Sequence, residues 1–255
     1  MLDAFYIAAV GIKAQQEQLN AVSNNFANLG TTAFKRQSVD FTAILDRMPA
    51  SRLATSVNAP DARPNRLVRS DLTVGDVHAT GRLLDIAIVG NGFLEVELPD
   101  GQTAYTRAGA LKINADGVLG IESGQALTAD VRIPSDAMDV QVLRDGSVVA
   151  RLSTDEALTT LGQLELVRFA NPESLQYRGE GLYTAPEGGS EPVRARPGEQ
   201  GLDVLATQSL EGSNVNMTSE MVSLMLMQRV YELNSRVVQV ADELMSMANN
   251  LRRSG

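Results

Sequence analysis

The sequence predicts an α+β chain, with an antiparallel β-rich central domain and long N- and C-terminal helices pairing as a coiled-coil-like hairpin. Three observations carry that expectation. Apolar residues recur at alternating 3- and 4-residue intervals near both ends of the chain. Three Asp-Gly dipeptides separate short apolar runs in the middle. Between the first helical pattern and the β region lies a stretch rich in Pro and Arg with no period of its own.

The N-terminal helix is read from Phe5, Ala8, Ile12, Gln15, Leu19, Val22, Phe26 and Leu29, an a/d-like series in which only Gln15 is polar. Gly11 weakens such a helix by about 1 kcal/mol relative to Ala without breaking it. Asn, Gly and two Thr at 28–32 should end it. The first segment of the inner helical domain is therefore placed at 1–45, closing on the short apolar set Val39, Phe41, Ile44 and Leu45. Residues 46–75 form an extended connection, since Pro49, Pro60 and Pro64 fall among small residues and arginines.

Residues 76–204 are expected to be the antiparallel β domain. A strand at 83–89 turns through Gly90-Asn91-Gly92 into a second over 93–98, where Phe93, Glu95 and Glu97 alternate with Leu94, Val96 and Leu98. Asp100-Gly101, Asp116-Gly117 and Asp145-Gly146 each make a hairpin between apolar runs. A further strand is expected over 162–169, another near Leu182-Tyr183-Thr184, and a loop over the Gly-, Pro- and Glu-rich 187–201. The C-terminal part, 205–255, returns to helix. Leu226, Val230, Leu233, Val237, Val240, Leu244, Met247 and Leu251 follow one another at intervals of 4 and 3. No Gly or Pro interrupts 215–251, and Asn216, Thr218 and Ser219 are each suited to capping its start. At about 1.5 Å per residue this helix runs on the order of 50 Å, which asks for a partner. A packing of both helices on a common core is also open to these spacings, but a 3.5-residue period makes a narrow stripe better matched to another helix. The candidate assembly seam is thus Phe5, Ile12, Leu19, Val22 and Phe26 with the eight C-terminal positions.

Composition narrows the function. The net charge is −9 and no Lys/Arg cluster is present, which argues against a nucleic-acid or anionic-membrane surface. Cysteine is absent, so disulfides, thiol catalysis and Cys-based metal sites are excluded. Met1–Ile12 carries Asp3 where a basic leader region would stand, so no cleaved secretory signal is expected. His78 is the sole histidine and has no nucleophile motif beside it. Glu95 and Glu97 share one strand face, a pairing that serves glycoside hydrolysis in some enzymes but is ordinary on a solvated sheet. Gly90-Asn91-Gly92 lacks the third glycine and the helix of a dinucleotide fingerprint. No catalytic, cofactor-binding or metal residue is assigned. Six of the nine methionines lie on the C-terminal helix, as core filling or as a compliant contact surface.

Four stretches, in order, carry a resemblance. Ser23-Asn24-Asn25-Phe26-Ala27-Asn28-Leu29-Gly30-Thr31-Thr32-Ala33-Phe34-Lys35-Arg36 is similar to the N-terminal signature of bacterial flagellar rod and hook proteins. Leu84-Asp85-Ile86-Ala87-Ile88-Val89-Gly90-Asn91-Gly92-Phe93 and Ala104-Tyr105-Thr106-Arg107-Ala108-Gly109 resemble the family's two central motifs. Glu211-Gly212-Ser213-Asn214-Val215-Asn216, with Gln228-Arg229-Val230-Tyr231-Glu232-Leu233-Asn234, resembles its C-terminal signature. The motif residues singled out are Asn24, Asn25, Ala27, Asn28, Phe34, Lys35, Asn214, Val215, Gln228, Arg229, Tyr231 and Asn234. Within the family the pattern is most like the distal-rod branch, although 46–69 is several residues shorter than usual there and Gly81-Arg82-Leu83-Leu84-Asp85 is shared with the proximal branch. The family's usual glycine before Phe34 is Ala33 here, where a positive φ would be uncomfortable.

The resemblance implies a structural subunit without catalytic activity, exported through the flagellar type III apparatus and polymerised helically into the periplasm-spanning rod. It implies self-association, contacts with other rod proteins, the hook protein and the surrounding ring proteins, and no nucleic acid, small-molecule substrate or cofactor. A soluble adaptor with a helical hairpin and an enzyme with an unrecognised site are the rival classes.

Overall fold

The computed structural model describes residues 2–39, 68–153, 157–186, 188, 191–199 and 203–253, with the side chains of 2–10, 237–238 and 241–253 outside that description. Most of the expected 46–75 connection therefore lies outside the described residues, as do Phe41, Ile44 and Leu45. The chain divides into two compact units. One comprises Met1–Ala27, Gln37–Arg69 and Asn216–Gly255, and the other comprises Asn28–Arg36 and Ser70–Val215.

The helical unit holds α1 (Leu2–Ala27) and α2 (Met217–Arg253), the only α-helices among the described residues, and a short strand pair, β1 (Gln37–Val39) with β2 (Val68–Ser70). Asn216 caps α2: its Oδ1 accepts from the Ser219 amide at 3.1 Å, and its carbonyl accepts from the Glu220 amide at 3.1 Å. The expected coiled-coil-like hairpin is not what the helices form, and the fold-class expectation is corrected accordingly. The chain is β-rich, with several antiparallel sheets and one helix at each end. Seam residues that should interlock stand open, Leu226 at 58% exposure, Leu233 at 59% and Val240 at 54%. The side chains of Phe5, Val237, Leu244, Met247 and Leu251 lie outside those described. What is buried on α1 is Ala14, Gln15, Ala21, Val22 and Asn25, and on α2 Glu220 and Met227. The physical reason is that small and hydrogen-bonding residues, joined by Val22 and Met227, make the contact between the helices. Among the described apolar members of the 3-4 series only Val22 is buried, and the rest of the stripe is not covered by this contact.

The β unit is built from hairpins. β5 (Phe93–Glu97) and β6 (Thr103–Thr106) are joined through Asp100-Gly101, with Leu94 opposite Thr106 and Val96 opposite Ala104. β7 (Leu111–Ile113) and β8 (Leu119–Ile121) are joined through Asp116-Gly117, and β10 (Ala137–Val142) and β11 (Ser147–Leu152) through Asp145-Gly146. The three turn glycines have φ of +76°, +74° and +83°, which favours Gly there. Beside β11 runs β12 (Leu158–Gln163), making a three-stranded sheet. The largest sheet has nine strands. It runs β14 (Gln176–Gly179), β15 (Leu182–Thr184), β6, β5, β9 (Ala126–Leu127), β8 and β7. β13 (Leu166–Arg168) also pairs with β5, and β16 (Val193–Ala195) with β13. Two strand pairs bring late residues back to early ones: β17 (Val204–Thr207) on β4 (Ile86–Val89), and β18 (Ser209–Glu211) on β3 (Val77–Ala79).

The alternation along β5 serves two interiors. Leu94 and Val96 enter an aliphatic core with Ile86, Ile88, Leu119 and Leu166. Phe93, on the opposite face, enters an aromatic cluster with Tyr105, Phe169 and Tyr183. Its rings meet edge to face, Phe93 to Phe169 at 5.9 Å and Tyr105 to Phe169 at 4.8 Å between centroids.

Candidate functional site

Within the β unit the sequence motifs converge on one carboxylate. Glu211 is fully buried at the end of β18. Its Oε1 accepts from Lys35 Nζ and, at 2.9 Å, from the Gly75 amide, and its Oε2 accepts from Arg107 Nε at 2.9 Å. Lys35 also donates to the Thr73 carbonyl. Arg107 uses its remaining nitrogens on the Gly92 carbonyl, 2.8 Å, and the Ile88 carbonyl, 3.0 Å, and lies 5.8 Å from the Phe93 ring centroid. Two cations thus face one anion in a place without water access, and main-chain carbonyls take up the excess positive charge. Burial holds Lys35 below the ordinary lysine pKa, with the hydrogen bond it donates to Glu211 acting in the opposite direction.

The backbone around this cluster is equally tied. The Ala33 amide donates to the Glu211 carbonyl at 2.8 Å, and the Asn214 amide to the Phe34 carbonyl at 3.3 Å. Asn214 accepts the Arg36 amide at 2.7 Å and donates to Asp71 and Thr73 carbonyls at 2.8 and 3.1 Å. The Gly109 carbonyl accepts from the Ile86 amide at 2.9 Å, in an approach so close that a Cβ at 109 would overlap the Ile86 carbonyl. Ala33 holds φ = +54° and is buried, so a side-chain-bearing residue sits in the left-handed region where the resemblance expects Gly.

The helical unit has its own polar contact. Gln15 donates to the Met227 carbonyl at 3.0 Å and accepts from Asn234 Nδ2 at 2.9 Å. Asn25, fully buried, exchanges two bonds with Gln37, 2.8 and 2.7 Å, and donates to Glu220 Oε2 at 3.4 Å. Beside Gln15 a groove of about 450 Å³ opens between the helices, lined by Leu19, Met227, Gln228 and Tyr231 among others.

The motif residues singled out from sequence thus divide. Asn25, Phe34, Lys35 and Val215 are buried, while Asn214 and Asn234 make the bonds just described. Asn24, Ala27, Gln228 and Arg229 are exposed, Tyr231 is 57% exposed, and Asn28 is half-buried in the turn after α1. Sequence reasoning passed over Arg107 and Glu211 as site residues, although both stand in the quoted motifs. An arginine directly after the buried run Ala104-Tyr105-Thr106 was the available signal. Glu95, weighed above for paired-carboxylate chemistry, is held by Arg194 through two bonds of 2.8 Å. His78 lies exposed on β3.

Three family models match in chain order. Residues 5–35 match "Flagella basal body rod protein", 87–150 "Flagellar hook protein FlgE/F/G D1 domain", and 206–251 "Flagellar basal body rod FlgEFG protein C-terminal". The chain is 37% identical over 256 residues to flagellar basal-body rod protein FlgG of Agrobacterium fabrum, covering 96% of this chain and 98% of that one. It is 32% identical to FlgG of Borreliella burgdorferi, over 99% of this chain and 100% of that one. To flagellar basal-body rod protein FlgF of Escherichia coli it is 28% identical, over 98% of each.

Proposed function

The chain belongs to the flagellar basal-body rod protein family and is a structural subunit of that rod; from this premise we propose that its β unit is a self-contained wall module and its helices carry the contacts to other rod subunits. The observation behind this reading is the exposed apolar side of α2, where Leu226, Val230, Leu233 and Val240 stand open together with Met225. In a helical array each subunit meets its neighbours through unlike patches that do not close, and a long apolar helix face suits such contacts. The unbranched methionine side chains adapt to non-identical neighbours. The subunit carries out no reaction in this reading, and its partners are further copies, other rod proteins, the hook protein and the rings around the rod. Greater identity to the FlgG relatives than to the FlgF relative supports a distal-rod position, and export through the flagellar type III apparatus goes with that placement.

Val240→Asp is the test. A carboxylate placed in a subunit interface costs several kcal/mol when left unpaired. Cells carrying it should fail to spread in soft agar and yield basal bodies without complete rods. Gln239→Glu adds the same charge at an exposed neighbour outside the apolar series and should be tolerated. Complete rods in the Val240→Asp strain would remove the proposal.

A further inference from the structure

We propose that Glu211 is a closing switch for the β unit: the unit completes its fold only when β18 delivers this carboxylate to Lys35 and Arg107. The residues are distant in sequence, with Arg107 104 positions and Lys35 176 positions before Glu211. All three side chains are essentially without solvent contact. Before β18 docks, the pocket holds two cations and no anion. Burying either of them in that condition is strongly unfavourable, so the site stays open to water.

The backbone makes the closure all-or-none. β18 lies along β3 with Ser209 opposite Ala79 and Glu211 opposite Val77, and its flanks donate further: Gly212 N to the Asp76 carbonyl at 2.7 Å and Ser209 N to the Asp85 carbonyl at 3.3 Å. Immediately before it, β17 pairs with β4 over four residues, Val204 opposite Val89 through Thr207 opposite Ile86. The single residue between them, Gln208, has φ = +54°, and its carbonyl accepts from the Thr80 amide at 2.8 Å. The two strands therefore dock together. By contrast, the sheet β10–β11–β12 is made of consecutive hairpins and uses nothing from the C-terminal end. Local pairings of that kind form before long-range ones. The order of folding follows: β10–β12 first, the closing pair last, with neutralisation of Lys35 and Arg107 as the final event.

Pulse-labelling hydrogen exchange on the full chain refolding from urea tests this. Amides of β10–β12 should gain protection first, and those of β3, β4, β17 and β18 should gain it later and together. The variant Lys35→Met/Arg107→Met/Glu211→Met removes the charges and should shorten the lag roughly tenfold or more, although it also takes side-chain partners from the Gly75 amide and the Ile88 and Gly92 carbonyls and so lowers the final stability. In the folded state, Glu211→Gln should speed exchange in β3 and β4 by roughly 10²–10⁴-fold, the size expected when a buried pair is broken, with β10–β12 little changed. Glu211→Asp keeps the charge and should stay within about tenfold of wild type. Simultaneous protection of β18 and β10–β12 would overturn the proposal. So would an unchanged lag in the triple variant, or equal exchange in Glu211→Gln and Glu211→Asp.

Discussion

The two units of the chain bury polar and apolar groups in different proportions. In the β unit an aliphatic and an aromatic cluster are filled, although Met138, Leu158 and Val193 among others stand exposed, and three charged groups are enclosed in a cluster whose members are all hydrogen-bonded. In the helical unit the buried side chains among those described are Ala14, Gln15, Ala21, Val22, Asn25, Glu220 and Met227, while Leu226, Val230, Leu233 and Val240 of α2 face outward. The difference teaches what each part asks of its surroundings. A β unit with filled apolar clusters leans less on a neighbour than a helix whose apolar side is turned out, which gains stability from one.

The largest effect that would break this contrast comes from Glu211→Gln, which should lower the stability of the closing strands by about 3–5 kcal/mol, read by hydrogen exchange at β3 and β4. A loss below about 1 kcal/mol would mean that the cluster is incidental to the fold. Second is Ala33→Val. A β-branched residue at φ = +54° in a buried position should lose about 2 kcal/mol or more. Ala33→Gly should stay within about 1 kcal/mol of wild type, because relief of strain is offset by the lost methyl and a freer unfolded chain.

These positions also show how far the sequence could be read. Asp100-Gly101, Asp116-Gly117 and Asp145-Gly146 were legible as hairpins because the turn chemistry is local and the flanking strands pair with their neighbours. Strand β12 was not, since Thr159, Thr160 and Gly162 break any apolar pattern, and the single strand expected over 162–169 is interrupted at Leu164 and Glu165. The cluster around Glu211 was legible only as four motifs in order. Their meeting is a long-range fact that neither period nor composition encodes. The helices taught the opposite lesson: a correct 3-4 apolar period was assigned to the wrong contact. Gln15, the one polar exception in its series, was the sign that this side of α1 meets hydrogen-bonding groups.

A smaller effect sharpens the contrast from the helical side. Gln15→Ala removes the bonds to the Met227 carbonyl and to Asn234 and should cost about 1–2 kcal/mol in the α1–α2 contact. Exchange in β5 and β6 should not change, since the β unit does not use these groups. The smallest effect is one of pH. Burial raises the Tyr183 phenol above its ordinary value of 10.0, so the folded unit keeps a proton that the unfolded chain releases above that pH. Stability should therefore decline as pH rises past about 10, by up to roughly 1.4 kcal/mol per unit for this group. Tyr183→Phe should show a shallower decline than wild type when both are titrated by thermal melting.

The claim that the β unit is self-sufficient and the helices serve assembly is tested most directly by sedimentation and electron microscopy of the purified chain as its concentration is raised, on wild type and Leu233→Asp in parallel. Wild type should form helical filaments above a threshold concentration. Leu233→Asp should stay unassembled at every concentration while its β unit keeps wild-type exchange protection. Filaments of Leu233→Asp at the wild-type threshold would contradict the account.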